Sequence, residues 1–306
     1  MDDSFKIDFI GIGAAKAGTT WLADALRQHP DIFIPEKKEL IYFCKTELAT
    51  QIRNYRYEKP ITWYHSFFKG AAPAQVKGEI SPHYLNAPEA VEKIYQYNPE
   101  IKIIAALRNP VERVVSHYFY AIQIGKIPAV PFADAINKYP IILKYGLYFK
   151  HLTQYYNQFP TSNIKIVLFD DLKAHPQSLY SEVLNFLSVR EYVPSTLDKK
   201  INRTKQNRIS GLNYLIESSR IFIHQNKLLF LRPFLKYIGI TPLAEFVRDH
   251  LNTTYNKRQK IKLGSNIYGM LYDYYSEDIN SLEKLIDRDL SGWKRVDCSA
   301  LGPNFF

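Results

Sequence analysis

The segment from Phe9 to Leu26 constrains the fold of this chain more than any other part of its sequence. An apolar stretch typical of a buried strand leads through a loop of small residues into an amphipathic helix. The first backbone N–H groups of a helix lack partners inside it, and with the helix dipole they favour an anion. Small residues such as Gly18 leave the backbone accessible, and Lys16 adds a positive charge. We therefore expect a β-loop-α unit that binds a phosphate group.

This loop differs from the two commonest phosphate-binding loops. A Walker A motif requires Gly-x-x-x-x-Gly-Lys-Ser/Thr. Gly13 and Gly18 have this spacing, but Thr19 stands at the position of the lysine. A dinucleotide fingerprint, Gly-x-Gly-x-x-Gly, fails because Lys16 stands where the third glycine is required. The loop argues against a P-loop NTPase and a Rossmann dehydrogenase. Taken alone, an ordinary glycine-rich turn between a strand and a helix stays an alternative for this segment.

The charge of the chain narrows the classes of partner. Forty Lys and Arg against thirty Asp and Glu give a formal net charge of +10 at pH 7, with a pI near 9.3. Such a charge attracts anions, among them nucleotides, sulfated or phosphorylated sugars and nucleic acids. A basic protein without any such partner is the plain alternative, because net charge alone does not separate these classes.

Cysteine, histidine and hydropathy patterns argue against several other classes. Cys44 and Cys298, the only two cysteines, suggest neither a disulfide framework nor a Cys-based zinc site. The eight histidines show no His-Glu-x-x-His spacing. The N-terminus lacks the apolar core of a signal peptide, and no window approaches the ~18 apolar residues of a membrane span. We expect a cytoplasmic protein that needs no metal and has no transmembrane segment.

Strands and helices alternate along the first part of the chain. Continuous apolar runs bounded by turn residues predict strands, and apolar residues at helical spacing predict helices. The predicted strands are 7–12, 75–80, 101–107 and 164–169, and the predicted helices are 19–28, 88–97, 110–122, 141–159 and 177–187. This order predicts an α/β fold in which helices cover both faces of a parallel sheet. We expect a single domain over 1–306, with an α/β core at 5–195 and a basic loop and helical part at 196–306.

Two apolar segments of the C-terminal part invite different interpretations. Residues 271–293 carry apolar residues at helical spacing, which most simply indicates a packing helix. The role of the helical segment 213–243 stays open. For its apolar piece around Phe230, packing in the core or as a lid is favoured. A peripheral membrane contact or a homodimer helix is the alternative.

A second candidate anion site follows the strand predicted at 101–107. Arg108 comes directly after this strand, and Ser116 follows about two helical turns later, where its hydroxyl could face the same ligand. Ligands of open α/β sheets collect at the carboxyl ends of the strands, where Lys16 also lies. Two anion sites on one sheet favour a ligand phosphorylated at two places. A helix cap or a surface contact is the alternative role for Arg108 and Ser116.

Together the two motifs resemble the sulfotransferase family that uses 3′-phosphoadenosine 5′-phosphosulfate (PAPS). Residues 16–21, Lys-Ala-Gly-Thr-Thr-Trp, are similar to its 5′-phosphosulfate loop, and 108–116, Arg-Asn-Pro-Val-Glu-Arg-Val-Val-Ser, are similar to its 3′-phosphate motif. The likeness continues through 146–148, 169–172 and 271–293. It implies a three-layer α/β/α fold like that of P-loop NTPases, with a helical C-terminal part. It also implies PAPS as co-substrate, adenosine 3′,5′-bisphosphate (PAP) as product, and no metal.

The resemblance assigns nucleotide contacts to four parts of the chain: the first loop, the central motif, Tyr148 in 146–148 and a basic run at 202–208. The basic run resembles the family's late loop that closes over the nucleotide, and a flexible surface loop is its alternative. Trp21 could equally belong to the core. The implied nucleotide-binding residues are Lys16, Ala17, Gly18, Thr19, Thr20, Trp21, Arg108, Ser116, Tyr148, Lys205 and Arg208.

The resemblance also assigns catalytic roles. Residues 38–43 are similar to the Lys-Glu-x-x-Phe-Phe motif of bacterial and carbohydrate sulfotransferases, which implies that Glu39 is the general base. Lys16 would stabilise the negative charge that grows on the leaving phosphate. A solvated run of charges is the alternative for Glu39. Glu79 is a rival base, and His83 could substitute or assist.

The acceptor is the least determined part of this interpretation. Residues 78–85 resemble the family's Gly-Glu-Lys-Ser/Thr-Pro segment, but Ile80 replaces a lysine that contacts the acceptor or sulfate in many carbohydrate enzymes. The resemblance implies transfer of a sulfuryl group to a hydroxyl of a carbohydrate or glycoconjugate, with a lipid or small natural-product alcohol as the alternative. A P-loop-like kinase of small substrates and a nucleic-acid-binding protein are weaker alternatives, and we expect no nucleic-acid partner.

Overall fold

Five parallel strands form the central sheet of the protein. Their order across the sheet is Ile32–Phe33, Val76–Ile80, Phe9–Gly13, Lys102–Leu107 and Ile164–Leu168. The computed structural model describes residues 5–47, 52–194, 197, 206–207, 209–226, 228–230, 234, 236–247, 252–254 and 265–294. The strands, including two short antiparallel pairs, are β1 Phe9–Gly13, β2 Ile32–Phe33, β3 Thr46–Glu47, β4 Ile52–Arg53, β5 Val76–Ile80, β6 Lys102–Leu107, β7 Ile164–Leu168, β8 Gln206–Asn207 and β9 Thr253–Thr254.

Helices flank this sheet, as the alternating sequence pattern predicts. The α-helices are α1 Thr19–Arg27, α2 Ile61–His65, α3 Pro88–Tyr97, α4 Pro110–Gln123, α5 Phe132–Lys138, α6 Ile141–Lys144, α7 Tyr148–Gln158, α8 Phe169–Ala174, α9 Pro176–Leu187, α10 Ser210–Gln225, α11 Ile240–Phe246, α12 Ser265–Ile286 and α13 Ser291–Lys294. The α/β fold with a central parallel sheet is confirmed.

The core explains why these apolar runs become strands. Every residue of β1 is buried, and β6 is buried after its first residue, because parallel strands covered by helices lose water on both faces. β1 lies between β5 and β6, with Phe9 paired to Gly78 on one side and to Lys102 on the other. The residues that follow β1, β5 and β6 therefore emerge at one edge of the sheet.

Two predicted helices differ from the observed ones. The helix predicted over 141–159 is split into α6 and α7, with Gly146 at the break. A Cβ on Gly146 would lie 2.9 Å from Cε1 of Tyr275 and 3.1 Å from Cβ of Pro110, so the break allows α12 and α4 to approach. The helix predicted over 271–293 starts earlier, at Ser265, and stops at Ile286, where Asp287 takes a left-handed φ of 48°.

We predict that Gly78→Ala destabilises the sheet. A Cβ at Gly78 would lie 2.4 Å from Cε1 and Cζ of Phe9, a fully buried side chain in the neighbouring strand. The overpacking should lower the free energy of unfolding by about 1–3 kcal/mol, measured by urea denaturation. Gly70→Ala is the matched control, because its Cβ would lie at an ordinary 3.5 Å from Cε2 of Phe33. Equal stability of the two variants would contradict this account of the packing.

Candidate active site

The loop between β1 and α1 is tightly curled at the carboxyl end of β1. The backbone N–H of Ala14 donates to the carbonyl of Ala106 on β6 at 2.5 Å. Lys16 takes a left-handed φ of 73°, and Gly18, the N-cap of α1, takes a φ of 92°. A Cβ at Gly18 would lie 2.8 Å from Cδ2 of Leu172. Gly18 provides no side-chain cap and the first turn of α1 carries no acidic residue, so the helix end suits an anion.

The side chain of Lys16 reaches from the first loop to α4. Its Nζ is 4.0 Å from the ring centroid of Tyr120, a half-exposed residue of α4. Its carbonyl oxygen lies 3.5 Å from Nη1 of Arg108, the residue that follows β6. The structure thus brings the two motifs predicted to bind phosphate into contact. Sequence analysis did not single out Tyr120, whose partner is distant in sequence.

Arg108 contacts the carboxylate of Glu112 and the ring of Phe169. Its Nε and Nη2 both donate to Oε2 of Glu112, at 3.0 and 2.8 Å. Its guanidinium carbon lies 4.6 Å from the ring centroid of Phe169, at the start of α8. Lys173 Nζ lies 3.5 Å from the same Glu112 oxygen. Arg108 and Glu112 of the second motif therefore form, with Lys173 of α8, a cluster of two cations and one carboxylate. Ser116 lies buried on α4, and the described contacts of Arg108 do not include it.

Lys38 joins the site, although the sequence analysis gave it no role of its own. Its Nζ donates to Oγ1 of Thr20 in the first turn of α1, at 2.6 Å. Burial lowers the pKa of Lys38 below the usual range of lysine, although the neighbouring Glu39 raises it. A second lysine therefore lies beside the predicted phosphate loop. The resemblance of 38–43 to a catalytic motif was a signal that could have identified Lys38.

Glu39 lies in a strained turn that other side chains hold. Glu39 and Ile41 take left-handed φ values of 57° and 52°, which are uncommon for residues other than glycine. Arg56 Nη1 donates to the carbonyls of Glu39 and Leu40 at 2.9 and 3.1 Å. Asn54 Nδ2 donates to the carbonyl of Ile41 at 2.5 Å. These contacts fix the direction in which the Glu39 side chain leaves the backbone.

The structure brings two of the candidate bases together. Oε2 of Glu39 lies 3.8 Å from Nδ1 of His83, and both side chains keep solvent exposure, 39% and 26% respectively. An accessible carboxylate beside an imidazole can accept a proton from a hydroxyl group. The neighbouring charged residues Glu36 and Lys37 are exposed, whereas Glu39 is half-buried. The solvated charge run considered in the sequence analysis describes Glu36 and Lys37 better than Glu39.

Glu79 has a different environment from Glu39. It is buried, and its carboxylate accepts hydrogen bonds from the hydroxyls of Ser81, Tyr84 and Tyr64 at 2.6, 2.6 and 3.1 Å. Burial raises the pKa of Glu79, and the three hydroxyl groups partly oppose this increase. Ser81 Oγ accepts a hydrogen bond from the backbone N–H of Ile41 at 3.1 Å, and the Tyr84 hydroxyl accepts one from the backbone N–H of Tyr42 at 2.9 Å. Glu79 therefore positions the turn that carries Glu39.

His117 is a buried histidine that sequence analysis missed. Arg113 Nη1 lies 3.1 Å from His117 Nδ1, and because a guanidinium only donates, Nδ1 accepts and the ring proton lies on Nε2. Burial holds the pKa of His117 well below the usual range of histidine, and the charges of Arg113, Lys16 and His83 lower it further. The imidazole is therefore a neutral donor near Lys16. Its position one residue after Ser116 was the available signal.

The remaining predicted residues are either buried, as Ala17 and Thr19 also are, or lie outside the described residues. Trp21 is buried, its Nε1 donates to the carbonyl of Leu197 at 3.1 Å, and its ring packs edge-on against Tyr180, which matches the alternative that it belongs to the core. Tyr148 is fully buried, and its hydroxyl donates to the Arg108 carbonyl at 2.9 Å. Burial raises the pKa of Tyr148 to about 12. Lys205 and Arg208 lie outside the described residues.

The lysine missing at position 80 also has a structural explanation. Ile80 is buried at the end of β5, and a Cβ on Gly11 would lie 2.7 Å from its Cγ1. A core side chain thus occupies the position where many carbohydrate enzymes carry a lysine. No group of three or more His, Cys, Asp or Glu side chains in the described ranges could hold a metal ion.

Comparison with known proteins agrees with this geometry. The sequence model of the sulfotransferase domain family matches residues 6–232. Human heparan sulfate glucosamine 3-O-sulfotransferase 6 is 28% identical over 192 residues, which cover 60% of this chain and 52% of that protein. The mouse heparan sulfate glucosamine 3-O-sulfotransferase 5 is 28% identical over 189 residues, 58% of this chain and 52% of that protein. The chain spans about half the length of these curated relatives.

A solved structure supports the fold. The crystal structure of a sulfotransferase from Alicyclobacillus acidocaldarius superposes with a TM-score of 0.67 and 23% identity, covering 95% of this chain and 100% of that one. At this identity the likeness concerns the fold alone. The P-loop-NTPase-like α/β architecture predicted from the sequence is therefore confirmed.

We predict that His117 makes the stability of the protein sensitive to mild acid. The unfolded chain binds a proton on this histidine below about pH 6.5, whereas the folded protein resists it. The free energy of unfolding should therefore fall as the pH drops below about 6.5, by up to ~1.4 kcal/mol per pH unit. Denaturation at a series of pH values measures this slope.

The control for this prediction uses a second histidine. His117→Gln keeps an oxygen that can accept from Arg113 but cannot titrate, so its stability should fall less in acid. His175→Gln changes an exposed histidine and should retain the slope of the original protein. The same slope in all three proteins would rule out His117 as the source.

Proposed function

The chain belongs to the sulfotransferase domain family, and we propose that it transfers the sulfuryl group of PAPS to a hydroxyl group of a carbohydrate, with PAP as the second product. One observation carries the choice of donor. The predicted 5′-phosphosulfate loop and the predicted 3′-phosphate motif meet where Arg108 Nη1 lies 3.5 Å from the Lys16 carbonyl. A nucleotide with phosphate groups at both positions of its ribose is the ligand class that suits two adjacent anion sites.

In the proposed reaction, Lys16 and the start of α1 stabilise the leaving group. The acceptor oxygen forms a new bond to sulfur while the bond from sulfur to the 5′-phosphate oxygen breaks, and the bonding electrons stay on that phosphate. A transition state with growing negative charge is stabilised by donors already in place. Lys16 supplies an ammonium, and Lys38, held by Thr20 at 2.6 Å, supplies a second one beside the same helix turn.

Glu39 is the proposed base. The acceptor hydroxyl has a high pKa, so a group that takes its proton as the new bond forms lowers the barrier, typically by a factor of ~10² to 10⁴. Glu39 is accessible and its turn is fixed by Arg56, while His83 lies 3.8 Å away and can share the proton or orient the carboxylate. Glu79, enclosed by three hydroxyl groups, acts only by positioning this turn.

A carbohydrate acceptor is supported by the relatives and by charge. The curated relatives described above are named for heparan sulfate glucosamine. The net charge of +10 would attract an anionic sugar chain by long-range electrostatic steering. Lys38 provides a lysine near the reacting groups in a chain that carries Ile80 at the usual lysine position. Which hydroxyl of the acceptor is sulfated depends on the contacts of the acceptor with the protein.

We predict that the protein binds PAP in the presence of EDTA and that Arg108→Ala weakens this binding by about tenfold or more, because a charge-assisted contact to the 3′-phosphate is lost. Affinity for adenosine 5′-phosphosulfate, which lacks that phosphate, should change much less. Isothermal titration calorimetry measures both. Arg190→Ala, which removes an exposed arginine paired with Asp31, is the control and should bind PAP normally. Equal losses for both ligands would refute the role of Arg108.

We predict that Glu39→Gln lowers the rate of sulfuryl transfer by about 10²-fold or more while the affinity for PAP stays unchanged, because the amide cannot take the proton. The measurement is transfer of labelled sulfate from PAPS to heparan-type and other oligosaccharides. His83→Ala should have the smaller effect of a supporting group. An active Glu39→Gln protein beside an inactive His83→Ala protein would move the base to His83.

A further inference from the structure

Helix α10 attaches to the rest of the described protein through polar side chains. Asn213 and Glu217 are its buried side chains among those that the structure describes. Asn213 Nδ2 donates to the carbonyl of Gln123 at 2.6 Å, and Glu217 lies 2.7 Å from Lys126 Nζ. At Gly125, a Cβ would lie 2.1 Å from the Asn213 carbonyl oxygen, so the two backbones are in close contact. The polar side of α10 therefore faces the protein.

Several apolar side chains of α10 and of the chain after it face outward, whereas a typical amphipathic surface helix turns its apolar side chains toward the protein. Leu215 is 65% exposed, Phe230 is 72% exposed and Tyr237 is 89% exposed. We call the outward-facing apolar residues of this part the apolar face. They include Leu215, Phe222, Phe230, Phe234, Tyr237 and Leu243, and Ile209, Ile238, Ile240 and Phe246 are exposed in the same part of the chain. Sequence analysis favoured packing of Phe230 in the core or as a lid. Packing in the core is wrong, since the side chain of Phe230 lies in solvent.

The segment of the sequence that carries the apolar face has a positive net charge. Residues 209–247 contain four Lys or Arg and two Asp or Glu. One of the two acids, Glu217, is buried and lies within 2.8 Å of both Lys126 and Arg220. Among the bases, Lys236 is exposed between the aromatic residues of the apolar face. Exposed aromatic and aliphatic side chains mixed with lysine and arginine are typical of surfaces that insert into the headgroup region of a membrane.

We propose that the apolar face binds the surface of an anionic lipid membrane. The aromatic side chains enter the boundary between headgroups and acyl chains, and Lys236 contacts lipid phosphate and carboxylate groups. α10 and α11 lie parallel to the membrane, and α10 keeps its polar contacts with Gln123 and Lys126. In the described parts of the chain no helix is long and apolar enough to span a bilayer.

A second copy of the chain is the main competing occupant, and charge disfavours it. In a two-fold symmetric dimer the same patch meets itself, so its described exposed base, Lys236, would face a patch of the same charge. With Glu217 engaged internally, the patch has few acids to offset this repulsion. An anionic bilayer has the complementary charge and a continuous apolar layer. The membrane therefore satisfies both the apolar and the basic groups of the face.

Vesicle co-sedimentation of the full chain tests this proposal. Vesicles of phosphatidylcholine with phosphatidylserine should bind the protein, and vesicles of phosphatidylcholine alone should bind it more weakly. Phe230→Ser and Tyr237→Ser should each lower the binding constant by about tenfold, since each removes a buried aromatic group from the bound state. Lys236→Glu should lower binding to the anionic vesicles only. The assay contains no nucleotide, so its result does not depend on the proposed transferase activity.

Two controls make the outcome decisive. Tyr55→Ser and Tyr192→Ser remove exposed aromatic residues outside the apolar face and should bind vesicles like the original protein. Thermal unfolding of every variant checks that the fold is intact. No binding to anionic vesicles, or equal binding by Tyr237→Ser and the original protein, would overturn the proposal. A dimer in light scattering that Phe230→Ser dissociates, without vesicle binding, would assign the face to a second copy instead.

Discussion

The parallel pairing of β1 with β5 on one side and β6 on the other is the constraint on which the rest of the site depends. Because parallel strands end at the same edge, the Lys16 loop, the segment from Glu79 to His83 and the Arg108 motif all emerge together. The pairing is tight: Phe9 occupies the space where a side chain at position 78 would lie. The fold thereby places cations and bases from distant parts of the chain within reach of one ligand.

Around this edge, buried polar groups determine the direction of accessible ones. Glu79 lies in the interior, yet it acts through the hydroxyls of Ser81 and Tyr84 on the backbone that carries Glu39. Arg113 likewise fixes the tautomer of His117. These partners matter because an unpaired polar group in the interior costs free energy.

The distribution of burial also separates two surfaces of the protein. At the sheet edge, charged residues are half-buried and each contacts a defined partner, as Lys38 does with Thr20. Along α10, Asn213 and Glu217 are turned inward, whereas aromatic side chains of α10 and of the residues after it are exposed. The first surface is suited to a small anionic nucleotide and the second to an extended apolar and anionic layer. The two proposals therefore draw on different regions and different forces.

The strands, the first loop and the Arg108 motif could be predicted from the sequence because their signals are local. A continuous apolar run, a loop of small residues before a helix and Pro110 at a helix start each act over a few neighbouring residues. The partners of Lys38, Lys16 and His117 were decided only by the tertiary structure. So were the break at Gly146 and the outward direction of Phe230. Contacts between residues far apart in sequence depend on how elements pack, and side-chain exposure depends on which face the packing covers.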